Sequence, residues 1–177
     1  MIPYEGKKSE KKHGLTMVRG LPGSGKSTYA KCIVETYKRK NIVYNHFEAD
    51  DYFTFINSET HAEQYDFNAM ELSVAHSFCQ YNAFCSIDDK KSVVVSNTFI
   101  DYQSMLPYIR FSQKRKIRWK IIECCGKWKS IHDVPDITLN FMKTKWVPKE
   151  MIIPLVEFEP GYDSYEVVCG GGIGASC

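Results

Sequence analysis

The chain has 177 residues, of which 44% are hydrophobic and 25% are charged, and its formal net charge is +2. This length and composition are typical of one soluble globular domain with a sizeable core. The nearly neutral charge gives no compositional sign of a nucleic-acid partner. Because no apolar run approaches the ~20 residues of a membrane span, we expect no membrane partner.

Residues 1–13 are rich in lysine and glutamate. They lack the apolar stretch of a signal peptide, and their composition is typical of a flexible, charged arm. We therefore expect the folded domain to begin at residue 14.

A phosphate-binding loop is predicted at residues 20–27, which read Gly-Leu-Pro-Gly-Ser-Gly-Lys-Ser. The motif G-x-x-x-x-G-K-[ST] has this meaning only between a strand and a helix. A short buried strand is predicted at 15–19. A helix is predicted at 28–40, because this stretch lacks Gly and Pro and carries apolar residues at helical spacing. The sequence therefore predicts binding of a nucleoside triphosphate.

The residue types of this loop explain the predicted binding. Gly20, Gly23 and Gly25 let backbone amides point into one concavity at a helix N-terminus, which favours an anion. Lys26 is placed to reach the β- and γ-phosphates, and the Ser27 hydroxyl to bind Mg²⁺. The predicted nucleotide contacts in this region are Gly20, Leu21, Pro22, Gly23, Ser24, Gly25, Lys26, Ser27 and Thr28.

Strands and helices continue to alternate along the chain. We predict strands at 41–47, 93–95 and 118–123, helices at 67–84, 101–113 and 135–146, and an irregular segment at 54–66. Such alternation predicts an α/β, three-layer P-loop NTPase or kinase fold, with a small parallel sheet flanked by helices. The strand at 118–123 begins with alternating polar and apolar residues, which places it near a sheet edge.

The domain is expected to extend over residues 14–156. Two extended apolar runs surround Pro160 and Gly161 and predict a terminal hairpin within 157–177. The glycine-rich end of the chain is predicted to be a flexible tail, since no helix follows it as a second phosphate loop would require.

The sequence contains seven cysteines at irregular spacing, without a C-x-x-C motif. Cys124 and Cys125 lie in a predicted apolar strand. We expect free thiols, buried as small hydrophobic groups in a reducing cytoplasmic location, and no zinc site.

The loops after three predicted strands meet at one edge of a parallel sheet, where ligands bind in such folds. Asp50 and Asp51 follow the second strand, and Asn97 follows the third. An aspartate beside Mg²⁺ accepts the acceptor proton in many kinases, so we predict Asp50 as the base. Asp51 is predicted as a cap or metal-shell residue. Asn97 is a predicted acceptor contact.

The magnesium site is predicted to depend on Ser27 and Asp50, with the nucleotide and water. P-loop enzymes usually carry a further aspartate on a second strand, but the third strand here ends in Ser96 and Asn97. This departure argues against a dedicated hydrolytic ATPase.

Several blocks in this sequence together resemble a known kinase family. The blocks are Val18–Ser27, Ala49–Phe53, Tyr65–Asn68, Ala75–His76, Val94–Thr98 and Ile131–Pro135. This chain looks like the P-loop kinases that include phage-type polynucleotide 5′-hydroxyl kinases and the kinase module of NEDD4-binding-protein-like proteins. The resemblance covers about residues 15–146. It implies that Asp50 activates a 5′-hydroxyl and that the segment 125–135 is a lid over ATP.

Two departures from that family concern the acceptor. The position after Asp-Asp-Tyr is typically an arginine that grips a substrate phosphate, and here it is Phe53. Phe53 is predicted as a substrate contact that stacks on a base, with a place in the core as the alternative. The lid offers Lys127 and Lys129 as nucleotide contacts in place of an arginine, and lysine lacks the bidentate fork. The densest basic run, at 110–120, is either a phosphate contact or a solvated helix end.

The sequence therefore predicts a magnesium-dependent phosphotransferase that moves the γ-phosphoryl group of ATP to a hydroxyl. The favoured acceptor is the 5′-hydroxyl of a nucleic-acid end, as in nucleic-acid repair. A small acceptor such as a nucleoside, nucleotide or sugar is the first alternative. An ATP-binding module with little turnover is the second.

Overall fold

The computed structural model describes residues 13–128 and 134–169. The described segments contain the following strands and helices: β1 (Gly14–Arg19), α1 (Lys26–Lys38), β2 (Tyr44–Phe47), β3 (Thr54–Ile56), β4 (Glu63–Tyr65), α2 (Leu72–Asp88), β5 (Ser92–Asn97), α3 (Tyr102–Arg115), β6 (Arg118–Cys124), α4 (Asp136–Lys145), α5 (Lys149–Val156) and β7 (Tyr162–Val168). Short 3₁₀ helices lie at Ala49–Phe53 and Ala69–Glu71.

The main sheet has five parallel strands in the order β2-β5-β1-β6-β7. Every residue of β5 is buried, as expected for a continuous β-branched strand covered on both faces. This architecture confirms the predicted α/β fold. Because the strands are parallel, the loops after β1, β2 and β5 emerge at one edge of the sheet.

Helices cover both faces of the sheet. On one face, Leu15, Met17 and Trp119 pack with buried residues of α2, α3 and α5. On the other face, Val18 and Val94 pack against Ala30 of α1. The three-layer arrangement follows from the alternation of side chains along each strand, which gives both faces an apolar surface. No helix in the described segments is long and apolar enough to cross a bilayer.

The segment predicted as irregular at 54–66 instead forms an antiparallel hairpin of β3 and β4. Each strand has only three residues, which is too short to produce a recognisable alternation. The hairpin matters for the site because it ends at Tyr65.

The predicted C-terminal hairpin is wrong. Ile152 and Val156 are buried one helical turn apart, so the first apolar run ends α5. The second run is β7, which pairs in parallel with β6. The sheet therefore extends to Val168. β6 lies one strand in from the edge, which agrees with its predicted place near a sheet edge. Residues 1–12 of the predicted arm and 170–177 of the predicted tail lie outside the described residues.

The expectation of free thiols is wrong for Cys125 and Cys169, which form a disulfide. Cys124 pairs with Val168 in the sheet, so the next residue of each strand lies opposite the other. Their Cα atoms are 4.7 Å apart, within the normal range for a disulfide. The sequence could not indicate this pair, because it depends on the unpredicted pairing of β6 with β7. Cys79, Cys85 and Cys124 are free thiols.

Candidate active site

The phosphate loop lies between β1 and α1, as the motif predicts. Gly25 is the N-cap of α1 and has a φ of 87°, in the left-handed region that favours glycine. Gly20 is needed for a different reason: a Cβ there would lie 2.9 Å from the carbonyl oxygen of Cys124. Gly25, Lys26 and Ser27 at the start of α1 line an open cleft, and the unpaired amides of a helix N-terminus favour an anion.

Lys26 is partly buried at the start of α1. Burial lowers the pKa of its ammonium group, while the carboxylates of Asp50 and Glu48 act in the opposite direction. A lysine whose charge is poorly solvated is ready to bind an anion, since a triphosphate would supply the missing interactions. Lys26 lines the cleft, and its contact to the β- and γ-phosphates stays a prediction.

Glu48, at the end of β2, is a site residue that the sequence analysis missed. The Ser27 hydroxyl donates to Oε2 of Glu48 at 2.6 Å, and the Ser96 hydroxyl donates to the same oxygen at 2.9 Å. The ring nitrogen Nε2 of His46 lies 2.7 Å from the Ser96 hydroxyl. Burial lowers the pKa of His46, which favours its neutral form beside this carboxylate. Glu48 therefore supplies the carboxylate that the third strand lacks.

The oxygen groups of Ser27, Glu48 and Asp50 are of the kind that Mg²⁺ prefers. The described residues contain no group of three or more His, Cys, Asp or Glu side chains that could hold a metal by themselves. In phosphoryl-transfer sites Mg²⁺ takes one or two carboxylates together with substrate phosphates. These residues fit such a site, with the nucleotide completing the shell.

Asp50 lies in the 3₁₀ helix Ala49–Phe53, and two hydrogen bonds hold the N-terminal end of this helix in place. The Ala49 amide donates to Oδ1 of Asn97 at 2.9 Å, and the Glu48 amide donates to Oδ2 of Asp51 at 2.9 Å. The Tyr65 hydroxyl donates to Oδ1 of Asp50 at 3.1 Å. Burial, with a smaller effect from Asp50, raises the pKa of Tyr65, so the phenol keeps its proton for this bond. Tyr65 thus orients the candidate base.

The cleft brings together most of the predicted site residues. Its lining includes Pro22, Gly23, Gly25, Lys26, Ser27, Thr28, Asp50 and Asn97. Gly20, Leu21 and Ser24 belong to the same loop but are not among the lining residues. Asp51 acts as a cap, as one of its two predicted roles required.

The remaining predicted contacts are placed elsewhere. Phe53 is 4% exposed and packs with Ala49 and Ala75, so it does not line the cleft. Lys127 is exposed and likewise lies outside the lining. Lys129 lies outside the described residues. The packing of Phe53 explains why an apolar residue occupies this position, and it gives no support to a substrate contact.

Trp128 is a second aromatic residue at the site that the sequence analysis did not single out. Its amide donates to the carbonyl of Gly23 at 2.9 Å, and the Gly126 amide donates to the carbonyl of Ser24 at 3.2 Å. A Cβ on Gly25 would lie 2.7 Å from the indole ring, so the ring packs on the phosphate loop. Trp128 also lines the cleft, which makes it a natural reporter of nucleotide binding.

The signals for the missed residues were weak. Glu48 directly precedes Ala49 and Asp50, but the sequence does not show which of three neighbouring carboxylates faces Ser27. Tyr65 lies in the stretch that the sequence predicted as irregular, and 15 positions separate it from Asp50. Only the parallel order β2-β5-β1 and the short hairpin bring these groups together.

Comparison with known proteins identifies the family. Residues 15–133 match the family described as AAA domain. Human NEDD4-binding protein 2 is 35% identical over 116 residues, which are 65% of this chain and only 6% of that protein.

Solved structures share the fold. Chaetomium thermophilum Kti12 in complex with ADP-AlF3 has a TM-score of 0.62 and 11% identity, over 88% of this chain and 89% of that chain. Mycobacterium tuberculosis APS kinase CysC with AMPPNP and APS has a TM-score of 0.55 and 14% identity, over 93% of this chain and 92% of that chain. These findings confirm the P-loop kinase fold, whereas the phage-type subgroup stays a prediction. The chain therefore belongs to the AAA-domain family, and its fold is that of the P-loop kinases.

Proposed function

We propose that this protein transfers the γ-phosphoryl group of ATP to a hydroxyl group held beside Asp50, with Mg²⁺ bound at Ser27 and Glu48. One observation carries the proposal: Asp50, oriented by Tyr65, lines the same cleft as Lys26 and Ser27 of the phosphate loop. Base, phosphate-binding lysine and metal-binding hydroxyl are the components that phosphoryl transfer needs.

In the proposed reaction, the acceptor oxygen forms a bond to the γ-phosphorus while the bond from that phosphorus to the β–γ bridging oxygen breaks. Asp50 takes the hydroxyl proton, and ADP leaves with the bridging oxygen. Lys26 stabilises the negative charge on the transferring group, and the bound Mg²⁺ would supply further charge neutralisation. Ser27 and Glu48 hold oxygen atoms on the metal side of the cleft.

Two acceptors are candidates. The resemblance to polynucleotide kinases favours a nucleic-acid 5′-hydroxyl, as would occur in repair. The buried position of Phe53, where those kinases typically have an arginine, favours a small acceptor. An ATP-binding module without turnover is the less favoured alternative. The third predicted strand offered no carboxylate for the metal, but Glu48 places one beside Ser27.

The cytoplasmic location expected from the sequence is also part of this proposal. Disulfides such as Cys125–Cys169 are rare in reducing compartments. The location should therefore be tested by cell fractionation, together with alkylation of free thiols to show whether this pair is oxidised in the cell. Recovery of the protein only from an oxidising compartment would contradict the cytoplasmic location and leave the proposed chemistry intact.

Transfer of label from [γ-³²P]ATP tests the proposed activity. The purified protein is incubated with Mg²⁺ and either a 5′-hydroxyl oligonucleotide or a panel of nucleosides and sugars. Lys26→Ala should lower the rate by about 10²–10³-fold, since it removes a preorganised positive charge. Asp50→Asn should lower it by about 10²–10⁴-fold, as expected for a general base.

Asp89→Asn is the matched control, because Asp89 lies exposed after α2 and contacts only Lys91 among its described ion pairs. It should leave the rate unchanged. Nucleotide binding without label transfer to any acceptor would contradict the kinase proposal and support a binding module.

A further inference from the structure

The cleft continues well beyond the phosphate loop and Asp50. It encloses about 1470 Å³, more than the ~300–1,000 Å³ typical of small-molecule sites. Besides the phosphate loop and Asp50, its lining includes residues of α2, α3 and α4. The region lined by these three helices, the outer part of the cleft, is left for the acceptor and for the adenosine of ATP, because the triphosphate would bind at Lys26 and Ser27.

Large apolar side chains form the walls of this outer part. Phe67 precedes α2 and Leu72 begins it, Phe141 and Met142 lie on α4, and Pro107 lies on α3. Phe67 is 51% exposed and Phe141 is 60% exposed. Aromatic surface left open inside a concave site is typical of a subsite that buries an apolar part of its ligand.

The charges in the cleft do not suit a polyanion. Among the described lining residues, Lys26 and Lys145 are the lysines, Asp50 and Asp101 are carboxylates, and there is no arginine. Lys26 serves the triphosphate, and the ammonium of Lys145 lies 5.8 Å from the ring centroid of Phe141. Desolvation lowers the pKa of His76, with Asp50 acting in the opposite direction, so this ring adds no charge at neutral pH.

The basic run at 110–120 does not reach the cleft. Its side chains are absent from the lining, and several are paired on the outer surface. Arg115 bonds to Asp88, Arg118 to Asp163 and Lys120 to Glu166. Binding to a nucleic-acid backbone depends on several cations that neutralise phosphates. Among the described lining residues, Lys145 is the one cation beside Phe141, and Lys26 serves the triphosphate.

Polar groups are nevertheless present between the apolar walls. Gln80 of α2 and Gln103 and Ser104 of α3 also line the cleft and offer both donors and acceptors. Such groups suit the edge of a heterocycle or the hydroxyls of a neutral molecule. The lining therefore combines aromatic contact with uncharged hydrogen bonding.

We propose that the acceptor is an uncharged alcohol that carries an aromatic ring system, as a nucleoside does, and that Phe67 and Phe141 hold this ring. The inference rests on the proposed kinase activity and narrows its acceptor. A phosphorylated polymer and a ring-free polar sugar are the alternatives that it excludes.

The experiment compares acceptors at fixed ATP and Mg²⁺ by initial rates of label transfer. The arms are nucleosides, a neutral aromatic alcohol without ribose, a hexose and a 5′-hydroxyl oligonucleotide. An aromatic alcohol or a nucleoside should have a kcat/KM about 10- to 100-fold above that of the hexose, the effect of burying one ring. The nucleoside and aromatic-alcohol arms show which source of the ring the cleft prefers.

Phe67→Ala and Phe141→Ala should each raise the KM of the preferred acceptor by about 10-fold, with the KM of ATP unchanged. Phe158→Ala is the control, because Phe158 is 88% exposed after α5 and does not line the cleft. Circular dichroism checks that the variants are folded.

A higher kcat/KM for the oligonucleotide, with a KM that rises with salt, would overturn the inference and leave the kinase proposal standing. Equal use of hexose and nucleoside would overturn it as well. Label on no acceptor, although ATP quenches the fluorescence of Trp128, would contradict the kinase proposal itself.

Discussion

The two sides of β1 use charged groups in opposite ways. On the catalytic side, formed by β2, β5 and the hairpin, Glu48 and Asp50 lie beside a partly buried lysine around an open cleft. On the scaffold side, formed by β6 and β7, Arg19 is fully buried and bonded on every nitrogen of its guanidinium group. One parallel sheet therefore provides two regions: a reactive edge, where charged groups face the cleft, and a closed support, where the charge of Arg19 is buried and fully bonded.

The scaffold side ties distant segments to the residue before the phosphate loop. Arg19 donates to the carbonyls of Phe99, Ile100 and Val147 and to the hydroxyl of Tyr165, and it pairs with Glu123 at 3.3 Å. Its guanidinium also stacks on Trp146 at 3.8 Å. These bonds connect β1, β6 and β7 with the loops after β5 and α4. Arg19 therefore holds in place the strand from which the phosphate loop begins.

Arg19→Met should have the largest effect on stability. Removing one partner of a buried ion pair leaves the other charge unpaired and costs about 3–5 kcal/mol. Urea denaturation measures the loss in the free energy of unfolding. Lys120→Met is the control, because its pair with Glu166 is partly exposed and such pairs contribute about 0–1 kcal/mol. Equal losses in the two variants would contradict the distinction between a closed support and an exposed surface.

Glu48→Gln tests the reactive edge. The change keeps the shape of the side chain but removes the negative charge of the carboxylate that accepts a hydrogen bond from Ser27. Loss of a group that holds a metal ligand in place lowers the affinity for the metal by about 10–100-fold. Titration of the transfer rate with Mg²⁺ measures the effect. Glu59→Gln, in the exposed turn between β3 and β4, should leave the titration unchanged. An unaltered Mg²⁺ requirement in Glu48→Gln would place the metal elsewhere.

The same division explains which parts of the molecule the sequence could predict. β1, the phosphate loop and α1 are contiguous, and their glycines, lysine and helical spacing lie within one short stretch. Asp101, the first residue of the helix predicted at 101–113, is the N-cap of α3 and accepts from the Ser104 amide at 2.9 Å. Such local bonds leave a local sequence signal.

The residues that were missed depend on contacts between distant segments. β7 is a strand only because β6 pairs with it, and its sequence resembles a hairpin arm when considered alone. Glu48 meets Ser27 across 21 positions, and Tyr65 meets Asp50 across 15. A strand-end carboxylate is predictable, but its partner is set by the strand order, which local patterns do not encode.

Tyr65→Phe should have a smaller effect than the Glu48 variant. It removes the hydrogen bond that orients Asp50, and a bond to a charged group contributes about 1.5 kcal/mol or more, which corresponds to about tenfold in kcat. The KM of ATP should not change, since the hydroxyl contacts the candidate base. Tyr81→Phe, at an exposed position of α2, is the control. A change in the KM of ATP with constant kcat would assign Tyr65 to nucleotide binding instead.

Lys26→Met should have the smallest effect, and its sign should be opposite to that of the other variants. Without nucleotide, this variant should have a higher free energy of unfolding than the natural protein. Burial lowers the pKa of Lys26 below its ordinary value, so the folded state disfavours the charged form. The charged Lys26 therefore reduces the free energy of unfolding of the natural protein, and this reduction is largest at pH values below the pKa of Lys26 in the folded state. As the pH rises from that pKa to the ordinary value, the unfolded chain binds more protons than the folded chain, so the reduction disappears.

The nucleotide-free variant should therefore unfold at a higher urea concentration than the natural protein at pH 7, and the two curves should approach each other at pH 10. Addition of ATP and Mg²⁺ should reverse the order, since a ligand stabilises only the form that binds it. A variant that is less stable than the natural protein at pH 7 would show that Lys26 supports the fold. A loss of this kind would place Lys26 with Arg19 among the supporting cations and would remove the contrast between the two sides of β1.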